Sequence, residues 1–219
     1  MNKDGFLFVT CVNDDVMYER CLAQLQRLVI PTGFEVSYLR VTDVESMTAG
    51  YNQALHHPQK YKVYIHQDTF IIYPYALLYL LQLFTAHPKL GMVGVIGCKE
   101  LPQSGIWWES DQMVGMAIDR PGPYRLLSYP GDKGYTPIAA IDGLFMATQV
   151  DLPWREDIFQ GFHFYDISQS YEMARNGYQV GVIEQKEPWC IHESGDRFDQ
   201  VGYSRDLSIF LNYYIHGDK

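Results

Sequence analysis

Residues 62–68, Lys-Val-Tyr-Ile-His-Gln-Asp, predict a short buried strand that runs directly into polar residues. In open α/β sheets, ligands bind beyond the carboxyl ends of the strands. His66 and Asp68 are two residues apart, so in an extended chain they face the same side, where an imidazole and a carboxylate suit a divalent metal. The alternative is structural: Asp68 caps the next turn, and His66 is a hydrogen-bonded residue at the strand end.

Strands and helices alternate around this segment. Apolar β-rich runs predict further strands at 6–12, 34–41 and 91–98. Apolar residues at helical spacing predict helices over 17–28, 46–56 and 75–86. This βαβαβαβ order is typical of an α/β fold in which helices flank a mostly parallel central sheet.

The second half of the chain is less regular. Residues 99–137 hold 12 of the chain's 33 Trp, Pro and Gly residues and predict a long functional excursion with little regular structure beyond a short hairpin. After it we expect strands at 138–148 and 178–184 and helices at 164–176 and 205–215. Because no linker or repeat interrupts the chain, we expect one domain over 1–219.

Two further residues are candidates for chemistry. Asp166 stands at the predicted start of a helix, where it either caps the helix or takes a proton from an attacking hydroxyl as a general base. His192 follows a predicted strand and precedes the loop that holds Gly195, which suits a metal ligand, although a lone histidine is more often structural.

Polar residues also follow the first two predicted strands. Asn13 and Asp14 come after the first, and Asp43 and Glu45 after the second. At a shared sheet edge they would hydrogen-bond a nucleotide base and ribose. The alternative for Asp14 is an N-cap of the following helix.

Composition limits the function classes. The net charge is −9 and no run of Lys or Arg occurs, which argues against a nucleic-acid partner. An acidic protein that binds an anionic nucleotide needs a local positive charge, and a divalent metal is the usual source. The four cysteines form no Cys-x-x-Cys pair, residues 1–5 lack a signal pattern, and no apolar run is long enough to span a membrane. We therefore expect a cytoplasmic protein.

Five segments in order resemble family-2 inverting glycosyltransferases of the GT-A fold, and more narrowly a small glycosyltransferase-like group that includes a streptomycin-biosynthesis protein domain. These segments are 47–54 (MTAGYNQA), 64–68 (YIHQD), 142–146 (DGLFM), 161–166 (GFHFYD) and 189–192 (WCIH). Their order and approximate spacing hold across nearly the whole chain.

The resemblance implies a nucleotide-binding half at 1–98 and a donor and acceptor half at 99–219, and it implies roles for individual residues. His66, Gln67 and Asp68 match the Asp-x-Asp metal motif, His192 matches a second metal ligand, and Asp166 matches the catalytic base. The donor nucleotide sugar would contact Asn13, Asp14, Asp43, Glu45, Asn52, Gln67, Asp142 and Gly143. An acceptor or a lid would involve Trp107, Trp108 and His163; for the two tryptophans the alternative is hydrophobic anchoring of a long loop.

The reaction implied is transfer of a sugar, with inversion, from a nucleoside-diphosphate sugar, in the first instance a UDP-sugar, to a small-molecule or glycan acceptor. The first carboxylate of the metal motif is replaced by His66, which favours Mn²⁺ over Mg²⁺ or indicates weak metal binding. Two other functions stay open: a non-catalytic nucleotide-sugar-binding module and, third, a nucleotidyltransferase. The last usually has a Gly-rich phosphate loop, and residues 10–20 contain no glycine.

Overall fold

The computed structural model describes residues 4–195 and 198–217. Its strands are β1 (Gly5–Cys11), β2 (Glu35–Val41), β3 (Tyr61–Ile65), β4 (Thr69–Ile71), β5 (Leu90–Gly94), β6 (Ile96–Cys98), β7 (Met113–Asp119), β8 (Arg125–Tyr129), β9 (Tyr135–Pro137), β10 (Ala140–Ile141), β11 (Phe145–Thr148), β12 (Gln179–Ile183) and β13 (Cys190–His192). Its α-helices are α1 (Asp15–Leu25), α2 (Met47–Asn52), α3 (Ala76–Ala86), α4 (Tyr165–Arg175) and α5 (Gln200–Phe210). Short 3₁₀ segments cover Gln53–His56 and Trp107–Glu109, and a π-helical turn covers Leu211–Ile215.

The main sheet has the strand order β2-β1-β3-β11-β5-β12-β9. Strands β2, β1 and β3 pair in parallel, as do β5 and β12, whereas β11 lies antiparallel between β3 and β5, and β9 lies antiparallel to β12. The α/β class predicted from the sequence is confirmed. The sheet is mixed rather than mostly parallel, because β11 and β9 enter it from the second half of the chain without a crossover helix before them.

A second sheet, β10-β6-β7-β13-β4, carries β8 as a partner of β7. The prediction that residues 99–137 hold little regular structure beyond a hairpin is therefore wrong, since β7, β8 and β9 all lie within them. The alternation of apolar and polar residues that indicates a strand is hard to detect here, because Gly115 interrupts β7 at φ 101° and β8 is largely exposed.

Two predicted single strands are each divided between the sheets. Residues 91–98 form β5 and β6, and residues 138–148 form β10 and β11. In the second case the break at Asp142 and Gly143 turns the chain from one sheet to the other, so these residues stand at the junction of the sheets. The last helix begins at Gln200 instead of Arg205, because the Asp199 carboxylate accepts from the amide of Gly202 and caps it.

Alternating side chains of β1 separate two hydrophobic cores. Phe6 and Phe8 pack into the larger core with apolar residues of α1 and α3. Leu7 and Val9 pack into the smaller core with residues of α2 and α4. Helices therefore cover both faces of the main sheet, as predicted. Among the described residues, no helix is long and apolar enough to cross a membrane.

Candidate functional site

Three side chains from two distant segments converge at the junction of the two sheets. His66 and Asp68 follow β3, and His192 ends β13. The segments meet because β4 pairs antiparallel with β13, which sets Thr69 opposite His192, and because the amide of Glu193 donates to the carbonyl of Asp68 over 2.8 Å. The three side chains thus come together through a short strand pairing that sequence periodicity did not show.

The three side chains have the spacing of a metal site. Nδ1 of His66 lies 3.4 Å from Nε2 of His192, and Oδ1 of Asp68 lies 3.5 Å from the same Nε2 and 3.9 Å from His66 Nδ1. Oδ1 of Asp68 is buried and has no hydrogen-bond partner among the described residues. A buried carboxylate oxygen that lacks a donor, beside two imidazoles, fits a divalent cation.

The charge states of His66 and Asp68 suit metal binding, whereas the protonation favoured at His192 competes with it, because an imidazolium has no lone pair to donate. Burial lowers the pKa of His66, which favours the neutral imidazole that can donate a lone pair. Burial alone would raise the pKa of Asp68, but the adjacent His192 and His66 imidazoles overcome this effect and hold the pKa below its usual value. Burial opposes protonation of His192, but the Asp68 carboxylate outweighs it and raises the pKa of His192.

Polar groups lie beside both imidazoles. The hydroxyl of Tyr165 hydrogen-bonds with Nε2 of His66, and with the proton on Nε2 the lone pair of Nδ1 faces the cluster. On the other ring, Nδ1 of His192 lies 3.6 Å from Oδ1 of Asp119. Asp119 is itself held by Ser194 Oγ, which donates over 2.8 Å, and by Arg125, which donates over 3.1 Å.

Asp166 lies in the first turn of α4 and does not act as its N-cap. Its Oδ2 accepts from the amide of Gly143 over 2.9 Å, and its Oδ1 accepts from the amide of Ile167 over 2.8 Å. Burial, together with the nearby Asp142 carboxylate, raises the pKa of Asp166 to about 7. The carboxyl group therefore exchanges its proton near neutral pH, which is the range that a general base requires.

A cavity of about 940 Å³ opens beside the cluster. Nine of the residues proposed from the sequence line it, namely His66, Asp68, Trp107, Trp108, Asp142, Gly143, His163, Asp166 and His192. Gly143 has to be small, because a Cβ there would lie 2.1 Å from the hydroxyl of Tyr165.

A second cavity, of about 490 Å³, lies on the other side of the cluster and shares His66, Asp68 and Phe162 with the first. Asn13, Asp43 and Gln67 line it. The side chain of Gln67 is fixed in place, because its Oε1 accepts from the amides of Asn13 and Asp14, each over 3.0 Å.

Three other residues proposed for the donor are not among those that line either cavity. Asp14 caps α1 by accepting from the amide of Met17. Glu45 is exposed. Asn52 is bonded twice to the backbone of Trp154, accepting from its amide over 2.8 Å and donating to its carbonyl over 3.0 Å, so its amide group holds α2 against that loop.

Strained backbone marks both cavities. The described non-glycine residues with positive φ are Asp43 and Phe164, each at φ 58°. Asp43 lines the smaller cavity and Phe164 the larger one. Such conformations cost free energy and tend to persist where function requires them. The turn at Phe164 delivers Tyr165 and Asp166 to the cavity wall.

Sequence reasoning missed Tyr165, Asp119 and Tyr203, all of which line the larger cavity. Tyr165 adjoins the candidate base and was detectable by that proximity. Asp119 ends β7 next to His192, since these two residues pair across parallel strands, but its segment had been interpreted as irregular. Tyr203 lies on a helix with no motif, so nothing in the sequence indicated it.

A model of the glycosyltransferase-like family matches residues 7–214. No curated protein matches the chain. Solved structures with the same GT-A fold do. A mannosyltransferase from Pyrobaculum calidifontis, in complex with GDP-Man and Mn²⁺, is 15% identical with a TM-score of 0.60, over 99% of this chain and 65% of that one.

Two further structures show the same fold. TarS 1–349 of S. aureus, in complex with UDP-GlcNAc, is 10% identical with a TM-score of 0.58, over 91% of this chain and 60% of that one. GalNAc-T7 with UDP, GalNAc and Mn²⁺ is 8% identical with a TM-score of 0.59, over 98% of this chain and 49% of that one. The chain thus spans about half to two thirds of the length of these three proteins.

Proposed function

The chain belongs to the glycosyltransferase-like family, and we propose that it transfers a sugar from a nucleoside-diphosphate sugar, in the first instance a UDP-sugar, to an acceptor hydroxyl with inversion at the anomeric carbon. One observation carries the proposal: the His66, Asp68 and His192 cluster lies between two cavities, and Asp166 lines the larger of them. A diphosphate that bridges the cavities would pass the cluster, with its nucleoside on one side and its sugar on the other.

The smaller cavity is the proposed nucleoside site. Asn13, Asp43 and Gln67 offer amide and carboxylate groups that suit a base and a ribose. The solved relatives in complex with GDP-Man, UDP-GlcNAc and UDP support a nucleotide donor of this class. Asp142 and Gly143, on the wall of the larger cavity, are proposed to contact the donor sugar.

His66, Asp68 and His192 would hold the divalent ion, Mn²⁺ or Mg²⁺. When bound, such an ion supplies positive charge that offsets the charge developing on the leaving diphosphate. The protein's own part is to keep His66 neutral by burial and to orient it through Tyr165. Two imidazoles and one carboxylate favour Mn²⁺ of the two ions, because Mg²⁺ prefers oxygen ligands.

Asp166 is the proposed general base. It takes the proton from the acceptor hydroxyl while that oxygen attacks the anomeric carbon. The bond between the anomeric carbon and the diphosphate oxygen breaks, and the nucleoside diphosphate leaves with the bonding electron pair. Attack from the face opposite to the leaving group inverts the configuration. The amides of Gly143 and Ile167 hold the carboxylate in one orientation for this step.

Release of UDP from UDP-sugars in the presence of Mn²⁺ tests the proposal. The wild-type protein is expected to release UDP, slowly to water and faster with an acceptor. Asp166→Asn is expected to bind UDP as the wild-type does and to lose transfer, because the amide cannot accept the proton. Transfer by Asp166→Asn at the wild-type rate would refute the base assignment.

The same assay separates the second candidate, a non-catalytic nucleotide-sugar-binding module. His66 in place of a carboxylate in the metal motif favours this candidate. A protein that binds UDP-sugars and never releases UDP would be such a module. The raised pKa of Asp166 favours the enzyme, because a purely binding site has no need of a carboxyl group that titrates near neutral pH.

The place of action and the organisation of the chain are parts of the proposal. All four cysteines are unpaired, and Cys21, Cys98 and Cys190 are buried, which supports a reducing compartment such as the cytoplasm. We propose that the chain forms one domain, with a nucleotide-binding half at 1–98 and a donor and acceptor half at 99–219.

A further inference from the structure

The floor of the larger cavity changes from charged to apolar along the pair of strands β7 and β8. Cross-strand partners on the cavity face are Asp119 with Arg125, next to His192, and then Ala117 with Leu127. Farther along lie Tyr129 and Met113. All of these residues line the cavity, and the strip that they form from Met113 to Asp119 is roughly 20 Å long.

The apolar end of this strip is open to the cavity. Met113, Leu127 and Tyr129 are only partly buried, whereas residues of a closed core would be fully covered. Ala117, Ile96 and Ile167, which are buried, complete the wall around them. The strip therefore offers apolar surface that a ligand can cover.

Aromatic rings from three separate segments enclose the cavity near Tyr203. The ring of Tyr203 lies 5.4 Å from that of Trp108, 5.4 Å from His163 and 5.1 Å from Phe198. Trp108 and Phe198 are about half exposed at the cavity rim. The buried hydroxyl of Tyr203 has no hydrogen-bond partner among the described residues.

This distribution of polarity discriminates between acceptors. A sugar acceptor carries a hydroxyl on almost every carbon, and hydroxyls placed against the strip would lose their hydrogen bonds to water without replacement. An alkyl or aromatic group gains from the same contact because apolar surface leaves water. At the polar end of the cavity, Asp119, Asp142 and Asp166 can hydrogen-bond a hydroxyl group.

We propose that the acceptor carries its reactive hydroxyl on or near a hydrophobic group, which lies along the Met113, Ala117 and Leu127 strip with the hydroxyl toward Asp166. This inference rests on the proposed glycosyltransferase function and specifies its acceptor class. The hydrophobic group is an alkyl chain or an aromatic ring, and the strip itself serves both.

The experiment compares three probes that share one sugar: methyl, phenyl and n-octyl β-D-glucoside, the last below its micelle concentration. Dissociation constants are measured by calorimetry with wild-type protein, UDP and Mn²⁺. The octyl or phenyl glucoside is expected to bind at least about tenfold more tightly than the methyl glucoside, since two additional buried methylenes suffice for that factor. Tighter binding of the octyl compound identifies an alkyl group, and tighter binding of the phenyl compound an aromatic one.

Leu127→Asn is expected to bring the ratio of the dissociation constants, methyl glucoside over octyl or phenyl glucoside, close to one. The matched control is Leu126→Asn, because Leu126 directly precedes Leu127 in β8, is exposed and is not among the residues that line the cavity. Met113→Gln, which changes the polarity of the strip at similar side-chain volume, serves as a second variant in case Leu127→Asn does not fold. Equal affinity for all three glucosides, no binding of any, or an unchanged preference in the folded strip variants would overturn the inference.

Failure of the inference is distinguishable from failure of the proposed function. UDP binding and UDP release from UDP-sugars are measured on the same wild-type sample. If UDP is bound and released but the glucosides bind equally, only the acceptor class is wrong. If UDP is neither bound nor released, the proposed function itself fails, and the acceptor class fails with it.

Discussion

Asp119 and His192 are neighbours across parallel strands, with Oδ1 of Asp119 3.6 Å from Nδ1 of His192. The other ring nitrogen of His192, Nε2, faces Asp68 at 3.5 Å. A carboxylate behind a metal-binding histidine fixes the proton on the remote nitrogen and leaves the near nitrogen free to bind. Asp119 is therefore in position to orient His192 toward the cluster without entering it.

Asp119→Asn is expected to weaken Mn²⁺ binding about tenfold, in line with the loss of a carboxylate behind a ligating histidine. Titration of Mn²⁺ followed by electron paramagnetic resonance measures the dissociation constant without any need for turnover. Asp111→Asn is the matched control, because Asp111 is an exposed carboxylate just before β7. An Asp119→Asn protein that binds Mn²⁺ as tightly as this control would show that Asp119 does not orient His192.

The pKa of Asp166 predicts the pH dependence of transfer. Because burial and the Asp142 carboxylate raise this pKa to about 7, the base is mostly protonated below that pH. The value of kcat/KM for transfer should rise with pH up to about 7 and then level off. Removing the neighbouring charge in Asp142→Asn should move this limb to lower pH.

The pH at which kcat/KM falls on the acidic side is the quantity to compare, because Asp142 lines the cavity and its replacement also affects the absolute rate. Glu156→Gln, at an exposed carboxylate elsewhere in the second half, should leave the limb unmoved. An acidic limb that stays in place in Asp142→Asn would indicate that another group controls the rate.

The sequence predicts those parts of the site that depend on local patterns, and it does not predict those that depend on contacts between residues far apart in the chain. His66 and Asp68 were recognisable because a local pattern, an apolar strand followed by polar residues, places ligands at a sheet edge. Their proximity to His192 depends on β4 and β13, strands of three residues each, which are too short for any periodicity to be visible.

The second sheet is the largest part of the fold that the sequence analysis did not predict. Its strands β7 and β8 are stabilised by cross-strand pairs, and Gly115 breaks the alternation that would have identified β7. Without that strand, neither Asp119 nor the Met113, Ala117 and Leu127 strip was predictable. For Asn52, whose position in a family motif suggested ligand contact, the structure shows an amide group bonded to the Trp154 backbone.

A buried lysine of β3, paired with a partly exposed aspartate, gives a test of stability. The side chain of Lys62 is fully buried, and its Nζ donates to both oxygens of Asp151, over 2.6 and 2.8 Å, and to the carbonyl of Gln59. Asp151→Ala would leave the ammonium group buried without its counter-ion. We expect a loss of about 2–3 kcal/mol in the free energy of unfolding, less than for a fully buried pair because Asp151 is partly exposed.

Urea denaturation followed by circular dichroism measures this loss. Glu187→Ala, which removes an exposed carboxylate, should change the unfolding free energy by less than about 0.5 kcal/mol. Equal stability of the two variants would mean that the Lys62 ammonium group finds another partner.

The most direct test of the central claim is calorimetric titration of UDP, with and without Mn²⁺, into wild-type protein and Asp68→Ala. If His66, Asp68 and His192 hold the ion that meets the diphosphate, Mn²⁺ should tighten UDP binding by the wild-type protein at least about tenfold and leave the affinity of Asp68→Ala unchanged. An Asp68→Ala protein whose affinity for UDP still rises with Mn²⁺ as in the wild type would contradict the account.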